Sequence, residues 1–156
     1  MEQLNFNLKN TLIPTMSRAT KYIGILMAKI LERSDVDLTP KQFILLHIVS
    51  QKPLAQSELA LITERDKGSL TRLIQSVEAK AFITRCVHSS DKRINMVSIT
   101  NEGRKAMQLA LPIVQETFGK LTADITQEEE EVLKRSSNKL ISKAIELLEC
   151  PNNVPS

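Results

Sequence analysis

Lys67, Ser69, Thr71, Arg72 and Gln75 lie close together at helical spacing. They offer two cations, two hydroxyls and a carboxamide. Such groups bind phosphate oxygens and read the donor and acceptor pattern of base edges. Among them Leu70, Leu73, Ile74 and Val77 recur at three- and four-residue intervals and make one apolar face. A helix from 67 to about 80 would bury that face and present the polar one. A second set follows in Ser89-Ser90-Asp91-Lys92-Arg93. An arginine at such a tip suits a narrow minor groove, where negative potential is concentrated. On spacing alone, an ordinary polar hairpin turn is an equal reading of Asp91, Lys92 and Arg93.

These groups need elements to hold them. A short helix from 56 to about 63 has Leu59, Ala60 and Ile62 as its inward residues. Glu64-Arg65 is the turn, and Asp66 is placed to N-cap the next helix. After that helix, 83–87 and 94–99 are rich in β-branched residues and read as two strands, with Ile94, Val97 and Ile99 giving apolar contacts. Helix, turn, helix and a two-stranded wing make a winged helix-turn-helix, which holds a helix in the DNA major groove.

Before this module, Leu12, Met16, Ala19, Ile23, Leu26 and Ile30 repeat at alternating four and three spacing, a long amphipathic helix starting close to Pro14. Thr39-Pro40-Lys41-Gln42 is a helix start with a capping box, and Phe43, Leu46, Ile48 and Val49 are its buried residues. Lys52-Pro53 ends it. His47, in this run, reads as a packed or rim residue rather than a ligand. After the wing, Thr100 caps a helix from 101 to about 120, which Pro112 should kink or divide. Thr126-Gln127-Glu128-Glu129 opens a last helix that continues to about 148. The tail, 151–156, reads as frayed.

The stretch Leu70-Thr71-Arg72-Leu73, with Glu78, Lys80, Asp91-Lys92-Arg93 and Ile99-Thr100-Asn101-Glu102-Gly103-Arg104, resembles the MarR (multiple antibiotic resistance) family of bacterial transcription regulators. The resemblance covers most of the chain and implies a mainly α fold with a small β wing. In it a winged helix-turn-helix, 36–99, is flanked by N- and C-terminal dimerisation helices, 1–35 and 100–150. It implies a homodimer that binds a pseudo-palindromic operator in double-stranded DNA and acts as a repressor. It also implies that Asp91 pairs with Arg93 and orients it. A small aromatic or phenolic effector would bind between the helical and winged regions, where Tyr22, Met27 and His47 are available. Three positions depart from the family pattern: Ala55 where Thr or Ser caps a helix, Thr63 for an aliphatic residue, and Ala81 for a glycine. Ala55 should cost about 1 kcal/mol of cap stability, and Ala81 roughly 1 kcal/mol if it takes the left-handed conformation.

Composition agrees with a helical protein. The chain has 156 residues with 3% aromatics and four glycines, which argues against a large β-sandwich. Net charge is only +3. Yet seven basic and three acidic residues lie between 65 and 93, while seven basic and nine acidic follow Thr100. Positive charge thus collects where DNA would lie. The opening residues lack an apolar run and no stretch could span a membrane, so a cytoplasmic protein is expected. No phosphate-binding loop, metal-ligand set or catalytic constellation is present, and no enzyme activity or cofactor is expected. Cys86-x-His88 has no second ligand pair. Two other readings stay open: a winged-helix protein-interaction module, and a thiol-based redox-responsive regulator acting through Cys86.

Overall fold

The computed structural model describes residues 11–87 and 95–149. Among the described residues the elements follow in order: α1 (Leu12–Glu32), α2 (Pro40–Gln51), β1 (Leu54–Ala55), α3 (Gln56–Thr63), α4 (Lys67–Glu78), β2 (Ile83–Val87), β3 (Asn95–Ile99), α5 (Asn101–Leu121) and α6 (Gln127–Glu149). The fold is mainly α with a small antiparallel sheet, as the sequence implies. The chain forms two compact units, the first ending at Thr117 and the second beginning at Phe118.

In the first unit, capping residues set where helices begin. Thr39 accepts from the Gln42 amide at 3.3 Å, and the Gln42 carboxamide oxygen accepts from the Thr39 amide at 3.0 Å. This is the expected capping box, with Pro40 at the first helical position. Asp66 accepts from the Ser69 amide at 2.8 Å and starts α4 as foreseen. At α3 the box is half present. Glu58 Oε2 accepts from the Ala55 amide at 2.7 Å, but Ala55 has no side-chain oxygen to return the bond. Helix ends are closed by left-handed residues. Glu64 (φ 49°) follows α3 and Ala81 (φ 57°) follows α4. The Phe82 amide reaches back to the Val77 carbonyl at 3.3 Å, and that closure ends α4 at Glu78, short of the expected position 80.

The core joins α1 to the winged module. Leu31, Leu45, Leu46, Val49, Leu59, Ile74, Val77, Ile83 and Val97 are essentially inaccessible to solvent. Leu45, not Ile48, is the enclosed residue in the middle of α2; Ile48 is half-buried. Ile62, expected inward, is exposed. It lies at the end of a two-turn helix, at the mouth of a cavity shared with α2 and α4. The sheet has the order β1-β3-β2, with Ile83 opposite Ile99 and Val87 opposite Asn95. The sequence reading missed β1, two residues that pair with Val97 and Met96. Along β3, Val97 and Ile99 face inward while their neighbours do not, the two-residue period of a half-buried strand. Ile94 lies outside the described residues, as do 1–10 and the tail 151–156.

The start of α5 is fastened to the exit of α4. The Thr100 amide donates to the Phe82 carbonyl at 3.0 Å, and its hydroxyl donates to the Ala81 carbonyl at 2.7 Å. That same hydroxyl oxygen accepts from the Gly103 amide at 3.0 Å, which makes Thr100 the cap. A Cβ on Gly103 would sit 2.1 Å from the Phe82 carbonyl oxygen, so only glycine allows this approach. Pro112 does not divide α5, which runs on as one helix. Ala106, Met107, Ala110 and Val114 are buried on both sides of it and hold the helix through the lost hydrogen bond.

In the second unit, Thr126 and Glu129 form the capping box that opens α6, with bonds of 2.8 and 3.2 Å. Glu129 is held below the usual carboxylate range chiefly by the Thr126 amide. No residue of α6 is buried, and Val132, Leu133, Ile141, Ile145 and Leu148 are exposed. Among the described residues, no helix is long and apolar enough to cross a membrane.

Candidate nucleic-acid interface

The burial of α4 divides its residues as the periodicity implied. Leu70, Ile74 and Val77 are buried, and Leu73 is half-buried. Lys67, Arg72 and Gln75 are exposed, while Ser69 and Thr71 are half-buried. Lys67 and Arg72 have no acidic partner among the described residues, so their charges face solvent. The two hydroxyls have internal partners. Thr71 donates to the Lys67 carbonyl at 2.7 Å, a backbone bond common for helical threonines. Ser69 accepts from Arg65 Nη1 at 3.1 Å, which fixes that guanidinium beside the polar face.

A cleft of about 340 Å³ lies between α3 and α4. Lys67, Leu70 and Thr71 line it from α4, and Gln56, Ser57 and Ala60 from α3. Gln56 and Ser57 were not singled out from the sequence. The signal was present: they open the first helix of the helix-turn-helix, where backbone amides lack helical partners and can donate to an anion. A second cavity of about 240 Å³ is lined by Ile44, Ile48, Ile62 and Leu73, with Lys41 and Arg65 contributing cations.

Two basic residues counted in the local charge excess are already occupied. Lys80 Nζ donates to the Asp37 carbonyl at 2.7 Å and to Gln42 Oε1 at 3.1 Å, and it lies 2.9 Å from Asp37 Oδ2. Arg85 makes a two-pronged pair with Glu78, at 3.2 and 2.5 Å. That hydrogen-bonded pairing holds the Glu78 carboxyl below its ordinary range and raises the Arg85 guanidinium. Of the described basic residues in this region, Arg65, Lys67 and Arg72 are therefore the cations available to a phosphate. Counting charges along the sequence overstated the free number because it could not see the pairs.

Asp91, Lys92 and Arg93 lie outside the described residues, as does His88. Cys86 is exposed on β2 beside Arg85, whose guanidinium is engaged by Glu78. Cys150 is outside the described residues. Tyr22, on α1, is exposed, and Met27 on the same helix is buried. His47 is exposed on α2 and stacks on Phe43, with ring centroids 6.2 Å apart. None of these three lines either cavity described above. Among the described residues no group of His, Cys, Asp and Glu could hold a metal ion.

The family model described as "MarR family" matches residues 36–94. An uncharacterized HTH-type transcriptional regulator of Bacillus anthracis is 30% identical over 116 residues, which span 74% of this chain and 77% of the relative. Among solved structures, a mutant of MarR from E. coli complexed with operator DNA has a TM-score of 0.69 at 25% identity, covering 86% of this chain and 98% of that one. The M. tuberculosis transcriptional regulator MOSR in complex with DNA has a TM-score of 0.72 at 24% identity, covering 89% and 98%.

Proposed function

The chain belongs to the MarR family of transcription regulators, and from that premise we propose that it binds a pseudo-palindromic operator in double-stranded DNA as a homodimer and represses transcription. The observation that carries this reading is the two-sided burial of α4. Its apolar side is sealed into the core, while Lys67, Arg72 and Gln75 face outward. In this reading Arg72 and Gln75 reach base edges, Lys67 serves a phosphate, and Ser69 and Thr71 make shorter contacts. Gln56 and Ser57 add phosphate contacts from the start of α3. Asp91, Lys92 and Arg93 are assigned to the minor groove, with Asp91 orienting Arg93. The module 36–99 is the DNA-binding part, and 1–35 with 100–150 the dimerisation part. That similar chains have been solved in complex with DNA supports the DNA-binding part of this reading.

Dimerisation is proposed because each unit leaves apolar surface uncovered. In the first, Leu12, Ile13, Tyr22, Ile23 and Ile25 of α1 are exposed; in the second, the apolar stripe of α6 is. Two recognition helices spaced about one DNA turn apart would then read two half-sites. A small aromatic or phenolic effector is the proposed release signal, with exposed Tyr22 and His47 accessible to it and Met27 buried on α1.

The test is duplex binding across a salt series, repeated with phenolic compounds added. Affinity should fall linearly with salt on logarithmic axes, because each phosphate contact releases a counterion. At least one compound should weaken binding at fixed salt. Affinity indifferent to salt would favour a protein-interaction module instead. Compounds that bind without loosening DNA would rule out the effector.

A further inference from the structure

We propose that Gln42 and Lys80 are positioning residues that set the tilt of α4, and through it sequence selectivity, without themselves touching DNA. The proposal rests on the DNA-binding reading above. It begins with a buried carboxamide. Gln42 is 6% exposed, and its polar side-chain atoms all have partners. Its Oε1 accepts from the Thr39 amide at 3.0 Å and from Lys80 Nζ at 3.1 Å. Its Nε2 donates to Ser76 Oγ at 3.0 Å. Ser76 in turn donates to the Leu73 carbonyl at 2.7 Å, inside α4.

One side chain therefore ties the first turn of α2 to the last turns of α4. Lys80 extends the tie. Its ammonium has three oxygen neighbours, the Asp37 carbonyl, Asp37 Oδ2 and Gln42 Oε1, one for each N–H it can donate. That joins the exit of α4 to the segment connecting α1 and α2. The apolar contacts of α4 do not fix its angle by themselves. Leucine and isoleucine side chains tolerate small rotations, whereas hydrogen bonds weaken steeply with misalignment. Gln42 can satisfy all its partners only at one separation and angle of α2 and α4. Reading bases by paired hydrogen bonds requires that same angle to be held, while phosphate attraction does not.

This difference supplies the test. Affinity of the full-length chain is measured for its selected operator and for a scrambled duplex of equal length, at one salt concentration. The variants are Gln42→Leu, Lys80→Met and Ser76→Ala, with the Gln42→Leu/Ser76→Ala double variant. Gln42→Leu and Lys80→Met should each lose about tenfold or more for the operator, the scale of one or more misread base pairs, while scrambled-duplex affinity stays within about twofold. Ser76→Ala should add nothing once Gln42 is leucine, because both changes break one connection. If Gln42→Leu fails to fold, Lys80→Met carries the same prediction, since it keeps an unbranched side chain one atom shorter, removes the ammonium and leaves Gln42 bonded to Thr39 and Ser76. An unchanged ratio of operator to scrambled affinity overturns the positioning role, as does an equal loss on both duplexes. A wild-type chain that selects no duplex sequence overturns the DNA-binding reading itself, and this inference with it.

Discussion

At the scale of single residues, the proposed recognition role rests most on Arg72. Its exposure, its lack of an acidic partner among the described residues and its place on α4 combine reach with free charge. Replacing it with alanine should lower operator affinity by about 1–3 kcal/mol, roughly fivefold to 150-fold, while the thermal melt is unchanged. Titration of the selected duplex against both proteins, with melting curves alongside, checks this; equal affinities would move the reading face elsewhere. The outward placement of Arg72 was legible in the sequence because apolar periodicity alone assigns sides to a helix. Lys80 and Arg85 were not legible as engaged groups. Their partners are Asp37, Gln42 and Glu78, and a pairing between positions 37 and 80 leaves no local signature. Gln56 and Ser57 carried a local signal as the start of α3, but their place beside Lys67 depends on how α3 folds against α4.

At the scale of elements, helix starts proved more legible than helix ends or middles. Thr39, Asp66, Thr100 and Thr126 cap helices as their side chains permit, because a cap is a contact across three residues. The end of α4 was misplaced by two residues because Ala81 takes φ 57°, where glycine would be the usual choice. The two-residue β1 carries too little pattern to be seen, and Pro112 passes through α5 because burial on both sides outweighs the local break. Two substitutions follow. Ala81→Gly should relieve left-handed strain and stabilise by about 0.5–1 kcal/mol. Ala55→Ser should complete the box that Glu58 has half formed and add about 0.5–1 kcal/mol. Denaturant midpoints read both gains, and because the sites are separate the double variant should show their sum. A loss at either position would show that the strain or the missing cap had been misjudged.

At the scale of the whole molecule, the uncovered faces are decisive. The apolar stripe of α6 has Leu133, Ile141, Ile145 and Leu148 in the open, and α1 shows a comparable row. In the sequence a homodimer is implied by the family resemblance, but one chain does not show which surfaces a second copy covers. If α6 closes a dimer, Ile141→Lys with Ile145→Lys should shift sedimentation toward the monomer and remove the concentration dependence of melting. A wild-type chain that sediments as a monomer at every concentration would refute that assignment. The most direct test of operator reading by a dimer is to select bound duplexes from a random pool with the full-length chain. Enrichment of one two-fold-symmetric sequence is predicted, with half-site centres about 10 base pairs apart. Recovery of a pool no different from the input, or of a sequence without a dyad, would contradict it.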